Sequence, residues 1–192
     1  MTLADPPRLV PQWAMPRRAL LLLTTLLCIG CSPNGPPPSP LSFDGLPVSG
    51  GLDAAHRAGF RNCFNTDAIH VRCRQGAVML LGHGPFEAAV DLLGSYGQAG
   101  FDHLTIWHDD DQRALYPILQ SLHRAGWRSC HTGTDRAGDQ VIFTRPGEAV
   151  RFSIDVSYYG ERRLRVFPKW KGQKLSSPCV PDKGLGLFNL DV

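Results

Sequence analysis

Hydrophobic and polar residues alternate most cleanly toward the C-terminal end of the chain. Val150, Phe152, Ile154, Val156 and Tyr158 take every second place, with Arg151, Ser153, Asp155, Ser157 and Tyr159 between them. A period of two puts one set on each face of a strand, so the pattern predicts a half-buried antiparallel strand. After a turn at Gly160, Leu164 and Val166 alternate with Arg163, Arg165 and Phe167. Pairing Val156 with Leu164 and Ile154 with Val166 keeps the apolar sets together and sets Asp155 opposite Arg165. A slip of one residue would bury arginines.

Upstream the period changes. Leu115, Ile118, Leu119 and Leu122 fall on one helical face, with Asp109 or Asp110 as the cap and Pro117 making the first turn irregular. The stretch "PFEAAVDLL" (85–93) reads two ways. Pro85 followed by Glu87 fits a first helical turn, whereas Phe86, Ala88, Val90 and Leu92 alternate.

An internal repeat decides for strand. "HRAGFRNC" (56–63) returns as "HRAGWRSC" (123–130), 67 residues later. Fainter echoes follow: 78–85 with 142–149, "VDL" (90–92) with "IDV" (154–156), and "LTIW" (104–107) with "LRVF" (164–167). The octapeptide reads as a helix end. Gly59 and Gly126 suit the left-handed residue that stops a helix, and Phe60 and Trp127 fold back on the last turn. His56, Arg57, His123 and Arg124 place positive charge at the negative end of the helix dipole. The first helix, near 52–58, is short. Each half is then one helix followed by about four strands. The expected class is α+β: two tandem units (48–108 and 109–174) forming an antiparallel sheet with helices on one face.

One apolar run stands outside this domain. Arg17 and Arg18 precede a largely apolar stretch of twelve residues (19–30), too short to span a bilayer, and "PNGPPPSP" (33–40) follows. Cys28-Ile29-Gly30-Cys31 resembles the lipobox of bacterial lipoproteins, with Cys28 where that family usually has Leu. The resemblance implies a signal segment over 1–31, a lipid on Cys31 and, with Ser32 rather than Asp next, the outer membrane facing the periplasm. Met15 is a second candidate initiator. A Pro/Gly-rich linker (32–47) leads into the domain, and residues 175–192 form a C-terminal tail.

Composition changes the picture in two places. Residues 1–31 carry Arg8, Arg17 and Arg18 against Asp5, so 17 of the 20 basic and 16 of the 17 acidic residues remain after them. The near balance gives no electrostatic reason for nucleic acid as a partner. Of six cysteines, four lie beyond Cys31: Cys63, Cys73, Cys130 and Cys179. An even count in an oxidising compartment predicts two disulfides, Cys63 with Cys73 across a turn and Cys130 with Cys179.

No motif names a reaction, and neither a cofactor nor a metal is expected. The densest polar cluster, "HLTIWHDDD" (103–111), puts His103 and His108 five apart, on opposite faces of a strand. An envelope hydrolase would need a cleft holding two or more of His83, His103, His108, Asp109 and Asp111. The basic, aromatic-containing stretch 161–174 favours another reading. Arg151, Arg163, Arg165, Lys169, Trp170 and Lys171 make a surface for an anionic envelope component. The two-unit plan resembles the β-lactamase inhibitor protein fold, and small outer-membrane lipoproteins of the SmpA/OmlA type also pair helices with a small antiparallel sheet. Both likenesses concern architecture over roughly residues 48–170. They transfer no functional residues; the anchor, the proline-rich spacer, the repeat and the missing catalytic constellation favour a lipid-anchored binding or envelope-assembly module.

Overall fold

A computed structural model describes residues 40–132, 140–156, 161–169 and 180–181. In chain order the elements are β1 (Ser42–Phe43), β2 (Leu46–Pro47), α1 (Leu52–Arg57), β3 (Asn62–Asp67), β4 (His70–Leu80), β5 (His83–Leu93) and β6 (Gly100–Trp107). Then come α2 (Tyr116–Arg124), β7 (Arg128–His131), β8 (Gln140–Thr144), β9 (Val150–Asp155), β10 (Leu164–Pro168) and β11 (Val180–Pro181). β1 and β2 form a small hairpin around Asp44 and Gly45, both at positive φ, as a tight two-residue hairpin turn requires. The other nine strands make one antiparallel sheet, in the order β11-β7-β8-β9-β10-β6-β5-β4-β3.

This corrects the expected α+β class of two helix-plus-strand units. Among the described residues the chain is mostly β, and the two helices are only six and nine residues long. The sheet is continuous, because β10 pairs with β6 across the middle. Both helices are cut short by local chemistry. α1 ends in the Ala-Gly turn of the octapeptide, and Pro117 confines the start of α2 to Tyr116, since proline is tolerated only in a first turn. The cap expected at Asp109 or Asp110 therefore falls at Leu115 instead, without a side-chain hydrogen bond.

The two helix exits have the same geometry. Gly59 and Gly126 sit at φ 98° and 82°. The N–H of Phe60 donates to Ala55 O and that of Trp127 to Leu122 O, each reaching five residues back over the last turn. Phe60 and Trp127 are buried in the core as a result.

The core lies on one face of the large sheet. Val71 and Cys73 of β4, Val90 and Leu92 of β5, Leu104 and Ile106 of β6, Leu164 and Val166 of β10, and Phe152 and Ile154 of β9 cluster with Ile118, Leu119 and Leu122 of α2. The β9–β10 register corrects the expected one. Leu164 pairs with Ile154, Arg165 with Ser153 and Val166 with Phe152, while Asp155 stands opposite Gln140 of β8. The difference is two residues, which leaves every side chain on the same face. Alternation alone cannot choose between such registers.

The domain reaches past both expected borders. Residues 42–47, assigned to the linker, fold as the β1–β2 hairpin, and Leu46 joins the core. Within the tail, β11 pairs with β7. The expected signal segment, Cys31, Trp170, Lys171 and Cys179 lie outside the described residues.

Candidate functional site

The opposite face of the sheet is polar, and strand register fixes which of its residues meet. Arg72 of β4 stands opposite Asp91 of β5, and Asp91 opposite His103 of β6. The Arg72 guanidinium donates to both Asp91 oxygens, Nε at 2.8 Å and Nη2 at 3.1 Å. His103 turns one ring nitrogen to Asp91 (3.3 Å) and the other to Asp102 (2.8 Å). Its hydrogen bond, above all, holds the Asp102 carboxyl below the usual carboxylate range, against the opposing effect of partial burial. The ring of His103 also stacks on Phe167 of β10, with centroids 5.2 Å apart. The Arg151 guanidinium lies 4.2 Å from the centroid of that Phe167 ring.

A second row crosses Arg74, Ala89, Thr105, Arg165 and Ser153. Arg151 and Arg165 are both half-buried. Burial lowers each below the ordinary arginine value, and for Arg165 the neighbouring Asp155 opposes that shift. Arginine still keeps its charge at any ordinary pH, so both present fixed cations on this face.

One end of the face opens into a cleft of about 240 Å³. Arg72, Arg74, Glu87, Thr105, Trp107, His108, Asp109, Gln112, Glu161, Arg162 and Arg163 line it. Trp107 stands centrally: its indole N–H donates to Asp109 (2.7 Å), and the guanidinium carbons of Arg74 and Arg163 lie 5.8 and 5.9 Å from its centroid. Arg162 is fixed from the other side, its backbone N–H donating to Gln112 Oε1 (2.5 Å) and its guanidinium lying over Tyr116. Thr105, 3% exposed, is at the floor, and its hydroxyl oxygen has no hydrogen-bond partner among the described residues.

The structure brings two of the hydrolase residues into the cleft and places the others elsewhere. His83 Nε2 lies 3.0 Å from Ser121 Oγ on α2. His103 is in the Asp91 network, and Asp111 caps the turn at Arg113. Only His108 and Asp109 share the cleft, and His108 Nδ1 accepts the backbone N–H groups of Asp110 and Asp111. Of the expected anion-binding residues, Arg163 lines the cleft while Arg151 and Arg165 lie farther along the face. Lys169 donates its ammonium to Arg145 O at 3.0 Å.

Cys63 and Cys73 face each other across β3 and β4 and are joined as a disulfide, with Cα atoms 4.0 Å apart. Cys130 is disulfide-bonded too; Cys179, its expected partner, lies outside the described residues. His56 Nε2 approaches Cys63 Sγ at 3.3 Å. This trio is the one group of metal-ligand types gathered within 4.8 Å among the described residues, and the disulfide ties up both of its sulfurs.

The sequence reading missed Arg72, Arg74, Glu87, Asp91, Thr105, Trp107 and Arg162. A signal was there for most of them. In "HVRCRQ" (70–75) arginines alternate with Val71 and Cys73, and Glu87 and Asp91 alternate with Ala88 and Val90. Comparison with known families, curated proteins and solved structures finds no match to this chain.

Proposed function

We propose that this is a lipid-anchored cell-envelope protein acting as a binding module. Cys31 holds it at the membrane and the polar sheet face engages an anionic envelope component. The observation that carries the reading is the gathering of Arg74, Arg151 and Arg165 from three strands on the face opposite the apolar core. Antiparallel sheets commonly keep one solvated face, but a merely solvated face is served by short polar side chains. Here Arg151 and Arg165 are half-buried at a cost in desolvation, and Arg74 and Arg151 lie over aromatic rings, which fixes their direction.

Binding to vesicles containing phosphatidylglycerol, compared with purely zwitterionic vesicles, tests the proposal. Each cation near an anionic surface contributes about 1 kcal/mol. Replacing both Arg151 and Arg165 by Gln is therefore expected to weaken binding roughly 30-fold. Wild-type binding is expected to fade between 0.1 and about 1 M salt, as the Debye length falls from ~10 to ~3 Å. Absence of binding at low salt, or indifference to both substitutions, refutes the reading.

A further inference from the structure

We propose that the cleft beside Trp107 takes a phosphate group carried on a hydroxyl-bearing compound, a sugar phosphate in chemical class. This deepens the reading of an anionic envelope ligand and rests on it for the ligand's source, not for the chemistry of the cleft.

Some of the charges in the cleft are already used. Of the four arginines lining the cleft, Arg72 is bonded to Asp91 and Arg163 to Glu161. Arg74 and Arg162 bond no carboxylate among the described residues. Their guanidinium groups lie over rings instead, Arg74 over Phe64 at 5.3 Å and over Trp107, Arg162 over Tyr116 at 4.8 Å. Ring contact holds a guanidinium by its flat face and leaves its N–H edge free to donate. Two such forks are thus oriented before any ligand arrives, which reduces the entropy lost on binding.

The number of forks selects the anion. One guanidinium satisfies both oxygens of a carboxylate, as Arg72 does for Asp91. A phosphate monoester offers three terminal oxygens and suits two forks. The acids of the cleft do not cancel this preference. Glu161 is bonded to Arg163, and Asp109 accepts from the Trp107 indole. Glu87 accepts no hydrogen bond among the described residues. A free carboxylate beside bound phosphate repels it unless the ligand brings a donor, and a sugar hydroxyl next to the phosphate is such a donor. The floor asks for a polar partner as well, since a covered hydroxyl such as that of Thr105 seldom goes without one. A space of about 240 Å³ is below the usual size of a drug-binding cavity. It admits one charged group with its adjoining hydroxyls.

The indole N–H resonance of Trp107, identified by its loss in Trp107→Phe, reports on the cleft in the full chain. Titration with glucose 1-phosphate is expected to shift it saturably, inorganic phosphate to shift it with weaker affinity, and glucose or acetate at equal concentration to leave it in place. Arg74→Lys with Arg162→Lys keeps both charges and removes both forks; half-saturation is expected to rise at least about tenfold. Unchanged indole and methyl signals elsewhere show that this variant is folded. Glu87→Gln is expected to narrow the preference for the sugar phosphate over inorganic phosphate. The proposal is overturned if neither phosphate shifts the signal, if acetate matches them, or if the lysine variant binds as wild type does. The vesicle assay depends on Arg151 and Arg165, so either proposal can fail while the other stands.

Discussion

Asp91 organises the polar face. Its side chain is 5% exposed, and a carboxylate withdrawn so far from water needs partners around it. Arg72 and His103 supply them from the strands on either side. Asp102, which binds the other nitrogen of His103, is the residue with a pH consequence. Its carboxyl titrates below the ordinary 3.8 because it accepts a hydrogen bond from His103. A folded-state value below the unfolded one means that the folded protein holds the proton less readily. The stabilisation is then complete above the unfolded value and is lost as pH falls through the lower folded value. Wild type is therefore expected to exceed Asp102→Asn in unfolding free energy by a constant margin above about pH 5. That margin should shrink as pH drops below 3.8. Urea unfolding at a series of pH values measures it; a margin that grows on acidification contradicts the hydrogen bond. With the Asp102 side chain 38% exposed, solvent screening keeps the margin small.

At the scale of the element, the repeated octapeptide was legible because it is local. A glycine after a short helix, followed by a large apolar residue, has one common conformation, and both copies adopt it. The two glycines differ in what surrounds them, which separates backbone strain from crowding. A Cβ at Gly126 meets nothing within 4 Å, whereas one at Gly59 meets the Gln75 side chain at 3.0 Å. Gly126→Ala is expected to cost about 1 kcal/mol, the penalty of a left-handed L-residue, and Gly59→Ala more than that. Equal losses in denaturant midpoint, or none, would falsify the account. Strand alternation was equally local, so the faces of β9 and β10 were readable. Their register was not, because a two-residue slip preserves the faces and only contacts across the sheet choose between them. In the ladder Arg165 accordingly stands opposite Thr105 and Ser153, with Asp155 a neighbour and not its cross-strand partner. The cleft was hidden for the same reason. Arg74, Trp107 and Arg162 come from separate elements, and the β10–β6 pairing that brings them together joins strands about 60 residues apart. The first helix reads as short, and it is; the second reads as starting earlier than Tyr116, since a periodic apolar face does not reveal how few turns carry it.

For the whole molecule, charge is arranged and not merely counted. The 17 basic and 16 acidic residues beyond Cys31 nearly cancel, yet the sheet turns one face to the core and gathers its arginines on the other. A face of that kind needs little intrinsic affinity if it is held near its ligand. A tether turns the encounter into an intramolecular one, at an effective concentration set by linker length. The stretch "PNGPPPSP" (33–40) is rich in proline, a composition that favours an extended spacer. A single acyl chain gives only reversible membrane attachment and stable anchoring takes at least two, so the acylated cysteine that the lipobox resemblance implies would suffice without a spanning helix. The apolar run at 19–30 is too short to span in any case. Cys31→Ala is therefore expected to abolish incorporation of an alkyne fatty acid and to move the protein from the membrane pellet to the soluble fraction. Cys28→Ala is expected to leave both unchanged, because Gly30, the small residue a lipoprotein signal places before the modified cysteine, precedes Cys31 alone. Labelling that persists in Cys31→Ala, or is lost only in Cys28→Ala, moves the anchor elsewhere. The sheet face would then have to bind on intrinsic affinity alone, which the vesicle titration measures directly.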